Sequence, residues 1–163
     1  CITHLKERTM EGKKTVLACM NSLLAGELAA RDQYFIHSRM YAEWGYTKLY
    51  ERIAHEMEDE TGHADQFIRR ILMLGGTPVV VPEAIHVGKD VVAMLKADLA
   101  VELSVRQHLK DAIALCEKEQ DYVTRLFLVE QLKDTEEDHA HWLEQQLRLI
   151  DAMGLQNYLQ SQA

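Results

Sequence analysis

The sequence predicts an all-α protein: a bundle of four long helices with one long crossover and a short fifth helix at the C-terminus. Three observations predict it. Eight glycines and two prolines among 163 residues are roughly half the combined share of an average protein, too little punctuation for a strand-and-turn fold. The prolines, Pro78 and Pro82, stand four apart near the middle, leaving long unbroken stretches on either side. Those stretches carry apolar residues at a helical period. The length suits one domain with a real core, taken here as residues 10–163, with residues 1–9 an N-terminal extension to which no role is assigned.

The first helix is expected over 13–41, through Val16, Met20, Leu23, Leu24, Leu28, Tyr34 and Phe35, before Trp44-Gly45-Tyr46 offers a turn. The second, about 46–74, is marked by Leu49, Ile53, Met57, Ala64, Phe67, Ile71 and Leu74 and ends at Gly75-Gly76-Thr77-Pro78. The third, about 90–116, uses Val91, Leu95, Leu99, Leu109 and Ile113. Glu117 to Asp121 form a polar joint. The fourth, about 120–149, uses Tyr122, Leu126, Val129, Leu132, Leu143 and Leu147, and Leu155 to Leu159 form a short fifth helix after Gly154. Short joints near residues 45 and 118 make helices one and two, and three and four, antiparallel neighbours. The middle connection, 75–89, reaches roughly 50 Å when extended at ~3.3 Å per residue, enough to run the length of a helix of roughly 42 Å. Pro78, Pro82 and the valines between them favour that extended path.

A net charge of −8 argues against a nucleic-acid partner held through phosphates and makes cations the natural ligands. No apolar run approaches the ~20 residues of a membrane span. Cys1 to Thr15 is too charged for a signal peptide, so a cytoplasmic protein is expected. Cys1, Cys19 and Cys116 are odd in number and widely spaced, which offers neither a disulfide framework nor a zinc knuckle.

Each apolar stripe contains one misfit. Glu27 lies seven residues from both Met20 and Tyr34, Glu60 from Ile53 and Phe67, Glu102 from Leu95 and Leu109, and Glu136 from Val129 and Leu143. A seven-residue step rotates only ~20° from a perfect stack, so each glutamate shares its neighbours' face. The helix midpoints fall at about residues 27, 60, 103 and 135, which puts all four carboxylates in one layer. Four carboxylates in an apolar core repel and resist desolvation, so a positive partner is required. Two of them carry a histidine one turn on, Glu60-Thr-Gly-His63 and Glu136-Glu-Asp-His139, the spacing at which both side chains reach one metal. Two divalent cations would balance four carboxylates, and oxygen-rich sites with one imidazole each suit iron or manganese. A third such spacing, Glu83-Ala-Ile-His86, follows Pro82 and is read as solvated loop.

Other polar residues allow several readings. His55 and Asp59, four apart beside the Glu60 face, suit a second cation site or a solvated pair. His141 points away from His139's face. Tyr34 is placed to bond a carboxylate, supply an electron or pack in the core. Trp44 and Trp142 are read as core or interface.

With these residues in place, the chain resembles the bacterioferritins of the ferritin-like superfamily over Met10 to Ala163. The resemblance is carried by Leu24-Ala-Gly-Glu-Leu-Ala-Ala-Arg-Asp-Gln-Tyr34, Asp59-Glu-Thr-Gly-His-Ala-Asp65, Asp134-Thr-Glu-Glu-Asp-His139 and Met153-Gly-Leu-Gln-Asn-Tyr-Leu159. It implies a 24-subunit cage, homo- or hetero-oligomeric, that oxidises Fe²⁺ with dioxygen or peroxide at an intrasubunit di-iron centre and stores the ferric mineral. It further implies Glu60 and Glu136 as bridging ligands, Glu27 and Glu102 as terminal ligands, and His63 and His139 each on one iron. His55 and Asp59 would form an inner-surface iron site. Haem-binding members carry a methionine directly after the first of these bridging glutamates, where this chain has Thr61, so haem ligation by this subunit is not expected. The alternatives are a mainly structural subunit in a mixed cage whose partner supplies haem, and a di-iron peroxidase.

Overall fold

The computed structural model describes residues 10–163; the expected extension, 1–9, lies outside the described residues. The chain forms α1 (Lys14–Glu43), α2 (Thr47–Met73), α3 (Val91–Lys118), α4 (Tyr122–Asp134), a π-turn (Thr135–Ala140), α5 (His141–Met153) and α6 (Leu155–Gln162). α4, the π-turn and α5 are one rod with helical backbone across both junctions. The rod, α1, α2 and α3 are the four members of the expected bundle, and α6 is the short final helix. Among the described residues there is no strand, and no helix is long and apolar enough to cross a membrane.

The ends follow from local chemistry. Gly45, Gly75 and Gly154 take positive φ at three of the helix ends, a conformation that costs glycine nothing. α3 starts at Asp90, whose carboxylate accepts from the Ala93 N–H at 2.8 Å, and α4 starts at Asp121, which accepts from Thr124. Gln120 turns the α3–α4 joint at φ 59°. Arg70 of α2 ties this joint down through Thr124 Oγ1 and Asp121.

The connection between α2 and α3 climbs alongside α1. Val79 N–H donates to Asn21 Oδ1 at 2.8 Å, His86 N–H to Gln33 Oε1 at 2.9 Å and Gly88 N–H to His37 Nε2 at 3.0 Å. Successive crossover residues thus meet side chains progressively further along α1, which is how one segment returns the chain to the opposite end of the bundle. The core has two apolar clusters. One gathers Met20, Leu24, Phe67, Ile71, Leu109 and Leu128, and the other gathers Tyr34, Tyr41, Ile53, Met94, Leu95, Leu143 and Tyr158. The carboxylates of the expected layer fall between them in sequence on each helix.

One stripe differs from expectation. Tyr122, Leu126 and Val129 are 56%, 59% and 38% exposed, and the buried face of α4 is instead Thr124, Leu128 and Gln131. Phe35 likewise faces outward, with the Arg39 guanidinium over its ring.

Candidate metal centre

Glu27 on α1, Glu60 and His63 on α2, Glu102 on α3 and His139 in the π-turn are all buried at mid-bundle. α1, α2 and α3 each deliver their carboxylate because that residue lies on the face whose neighbours one heptad away fill the two apolar clusters. His63 Nδ1 lies 3.1 Å from Glu60 Oε2 and 3.7 Å from Glu27. His139 Nδ1 lies 3.0 Å from Glu60 Oε1 and 3.2 Å from Glu102 Oε1. Glu60 therefore spans the two imidazoles, one oxygen to each. Tyr34 donates its hydroxyl proton to Glu102 Oε1, which makes it a partner of this carboxylate as well as a core residue.

Glu136 is not brought into this group. Its side chain is 37% exposed and its Oε1 accepts from Arg106 Nε at 2.7 Å. Two physical reasons account for the difference. Its heptad neighbour Val129 lies on the exposed face, and the π-turn, with about 4.4 residues per turn, rotates Glu136 away from the His139 face that an α-helical i, i+3 step would give it.

Three residues that were not expected, Glu56, Asp134 and Asp138, enter the neighbourhood, together with Asp59 of the expected second cation site. Glu56, four before Glu60, is fully buried and clusters with Glu102 and His139. Asp134 Oδ2 lies 2.9 Å from His63 Nε2, and Asp59 Oδ2 lies 3.2 Å from His139 Nε2 and 3.4 Å from His55 Nε2. Asp59 thus links the exposed His55 to the buried centre. Asp138 Oδ2 lies 3.8 Å from His139 Nε2, and Arg52 reaches the Asp138 carboxylate and carbonyl. The i−4 spacing of Glu56 from Glu60 was the available signal for the first; nothing in a helical reading of the fourth rod points to Asp134. Thr61 is exposed and donates to the Met57 carbonyl.

The electrostatics are those of a cation site holding protons. Burial, then repulsion from Glu60, raises Glu27 well above the usual carboxylate range, and the same two causes raise Glu102. Burial works against charge on Glu60 too, but the adjoining Glu27, His139 and His63 outweigh it and hold Glu60 far below its ordinary value. Burial opposes a charged His63, yet Asp134, Glu27 and Glu60 push it up to about 12. His139 is raised further by Asp59, Glu102 and Glu60 against the same penalty. The neighbouring carboxylates thus favour the charged form of both imidazoles, as they would favour a cation bound there. Both oxygens of Glu27 and Oε2 of Glu102 are buried without a hydrogen-bond partner, the condition a metal would relieve.

This fold and this buried arrangement of carboxylates and histidines define a protein of the ferritin-like class. Comparison with known families agrees: residues 17–153 match the ferritin-like domain. A bacterial ferritin of Neisseria meningitidis serogroup B is 67% identical over 153 residues, 94% of this chain and 99% of that one. A bacterial ferritin of Pseudomonas aeruginosa is 62% identical over 153 residues with the same coverage, and a bacterioferritin of Mycolicibacterium paratuberculosis is 41% identical over 150, covering 91% and 94%. The chain belongs to the ferritin family.

Proposed function

We propose that the mid-bundle centre is a ferroxidase site that oxidises Fe²⁺ in an iron-storage protein. The observation that carries the reading is the convergence of Glu27, Glu60, His63, Glu102 and His139 around carboxylate oxygens that have no other partner. The donor set fits the substrate: carboxylate oxygen with one imidazole per position suits Fe²⁺ and remains suited to the harder Fe³⁺ product. Glu27 and His63 serve one ion, Glu102 and His139 the other, and Glu60 serves both. Glu136 completes the expected six-ligand set when its side chain leaves Arg106 and turns inward.

Each Fe²⁺ gives up one electron. Two electrons and two protons convert dioxygen to hydrogen peroxide, or hydrogen peroxide to two waters. The protein's part is to hold two ions at one depth, to keep Tyr34 protonated against Glu102, since burial and then the Glu102 charge raise the phenol well above its ordinary value, and to exclude bulk water. His55 and Asp59 form a second cation site outside the centre. Residues 10–163 act as a single domain in a cytoplasmic 24-subunit cage, and Thr61 leaves the subunit without its own haem ligand.

Anaerobic Fe²⁺ titration followed by oxidant tests the reading. A break at about two ions per subunit, lost in Glu27→Ala, is expected; a wild-type protein without any break overturns it. Native mass measurement tests the cage and whether it holds one subunit type.

A further inference from the structure

We infer that Glu56 is a metal ligand, the carboxylate that completes the ion position at His139 while Glu136 is paired outside. The inference rests on the cation-binding reading of the centre and adds a residue outside the six that the sequence nominates.

Three observations carry it. Oxygens of Glu56 and Glu102 and a ring nitrogen of His139 lie within 4.8 Å of one another, all three residues buried, and this group is the counterpart of Glu27, Glu60 and His63 on the other side. The two oxygens of Glu56 are then unequal. Oε1 accepts from Arg52 Nε at 2.9 Å, whereas Oε2 is buried without a partner. A carboxylate held by one oxygen and free at the other is arranged for monodentate ligation, and its orientation is set before any ion arrives. Arg52, moreover, is itself fixed: Nη2 donates to the Asp138 carbonyl at 2.7 Å and carboxylate at 3.0 Å, and its guanidinium lies 4.9 Å from the Trp142 ring centre. The same arginine therefore aims Glu56 and grips the π-turn that carries His139 inward and Glu136 outward.

Counting carboxylates gives the same answer. With Glu136 held outside by Arg106, each position has one terminal carboxylate, a share of Glu60 and one imidazole, so the pair is one carboxylate short of the expected set. Glu56 supplies a carboxylate from within the buried layer with no change of backbone.

The test is anaerobic Co²⁺ titration of the assembled protein, read by visible absorption, with no oxidant and no turnover. Wild type is expected to bind two ions per subunit in the centre. Glu56→Gln, which keeps an acceptor for Arg52, is expected to weaken one of the two by tenfold or more and leave the other. If Glu56→Gln binds both ions as wild type does, the inference is overturned while the centre stands. If wild type binds none, the cation-binding reading fails with it. Should Glu56→Gln not assemble, cobalt anomalous diffraction from wild-type crystals decides: a peak contacted by Glu56, Glu102 and His139 supports the inference, and a peak that Glu56 does not contact overturns it.

Discussion

The backbone N–H of Gly88 donates to Nε2 of His37 at 3.0 Å, and the other ring nitrogen of His37 lies 2.8 Å from Asp98 Oδ1. Because Nε2 must accept, the proton sits on Nδ1, and Asp98 also receives a bond from Gln33 Nε2. One buried network thus joins α1, α3 and the last residues of the crossover. A Cβ on Gly88 would meet the Met94 nitrogen at 2.4 Å and the Ala93 carbonyl carbon at 2.7 Å, both backbone atoms. Gly88→Ala is expected to cost about 1–3 kcal/mol, and His37→Ala a similar amount, because the Gly88 N–H loses its acceptor and Asp98 keeps only its bond from Gln33. In both, hydrogen exchange should rise at His86 and Gly88 more than at Val79, which bonds Asn21 instead. Uniform exchange along the crossover would contradict this.

Tyr34 tests the support of Glu102. In Tyr34→Phe the carboxylate loses the phenol proton while keeping His139 Nδ1 at 3.2 Å. Loss of one buried bond of this kind is expected to lower stability by about 1–2 kcal/mol and to weaken cation binding in the centre. Unchanged melting and unchanged Co²⁺ affinity would show that the phenol is mere packing.

Cation binding should also stabilise the fold. The ions would replace two imidazolium protons and partner the orphaned oxygens of Glu27 and Glu102. A free ion concentration of about 100 times Kd adds about 2.7 kcal/mol, visible as a higher melting temperature for wild type with Co²⁺ or Zn²⁺. Glu27→Ala should melt with a smaller increment, and chelation should abolish the difference.

The outward face of α4 bears on assembly. Tyr122, Val123, Leu126 and Val129 form an exposed apolar stripe, the kind of surface that contact with another chain would cover. Leu126→Glu should leave the helical content unchanged, since no core contact is lost, and shift native mass toward smaller species. An unaltered assembly would place the subunit contacts elsewhere.

Three of the four helices were legible because their polar misfits sit midway between residues that are truly buried. Met20 and Tyr34 bracket Glu27, Ile53 and Phe67 bracket Glu60, and Leu95 and Leu109 bracket Glu102. The fourth rod misled because hydrophobicity alone cannot distinguish a core stripe from an interface stripe; Val129 and Leu126 look like core and face outward. A one-residue change of helical phase within 135–140 leaves no mark in composition, so the spacing from Glu136 to Leu143 stops reporting a shared face. Glu56 and Asp98 are four residues before Glu60 and Glu102, on faces already assigned, and an acid there was readable as a second polar neighbour. Asp134 was not, since it lies one turn after Gln131 on a face whose polar residues the apolar pattern does not mark as buried.

Pro78 and Pro82, which first marked the crossover, have a second consequence. Between them Val79, Val80 and Val81 are exposed, an extended β-branched run of the kind that recruits another chain through its free N–H groups. Asn21 takes the Val79 donor, and the prolines carry no N–H at either side. Strand addition would meet a missing donor within two residues in each direction, so a segment that must stay extended to span the bundle is guarded against pairing with its copies at high subunit concentration.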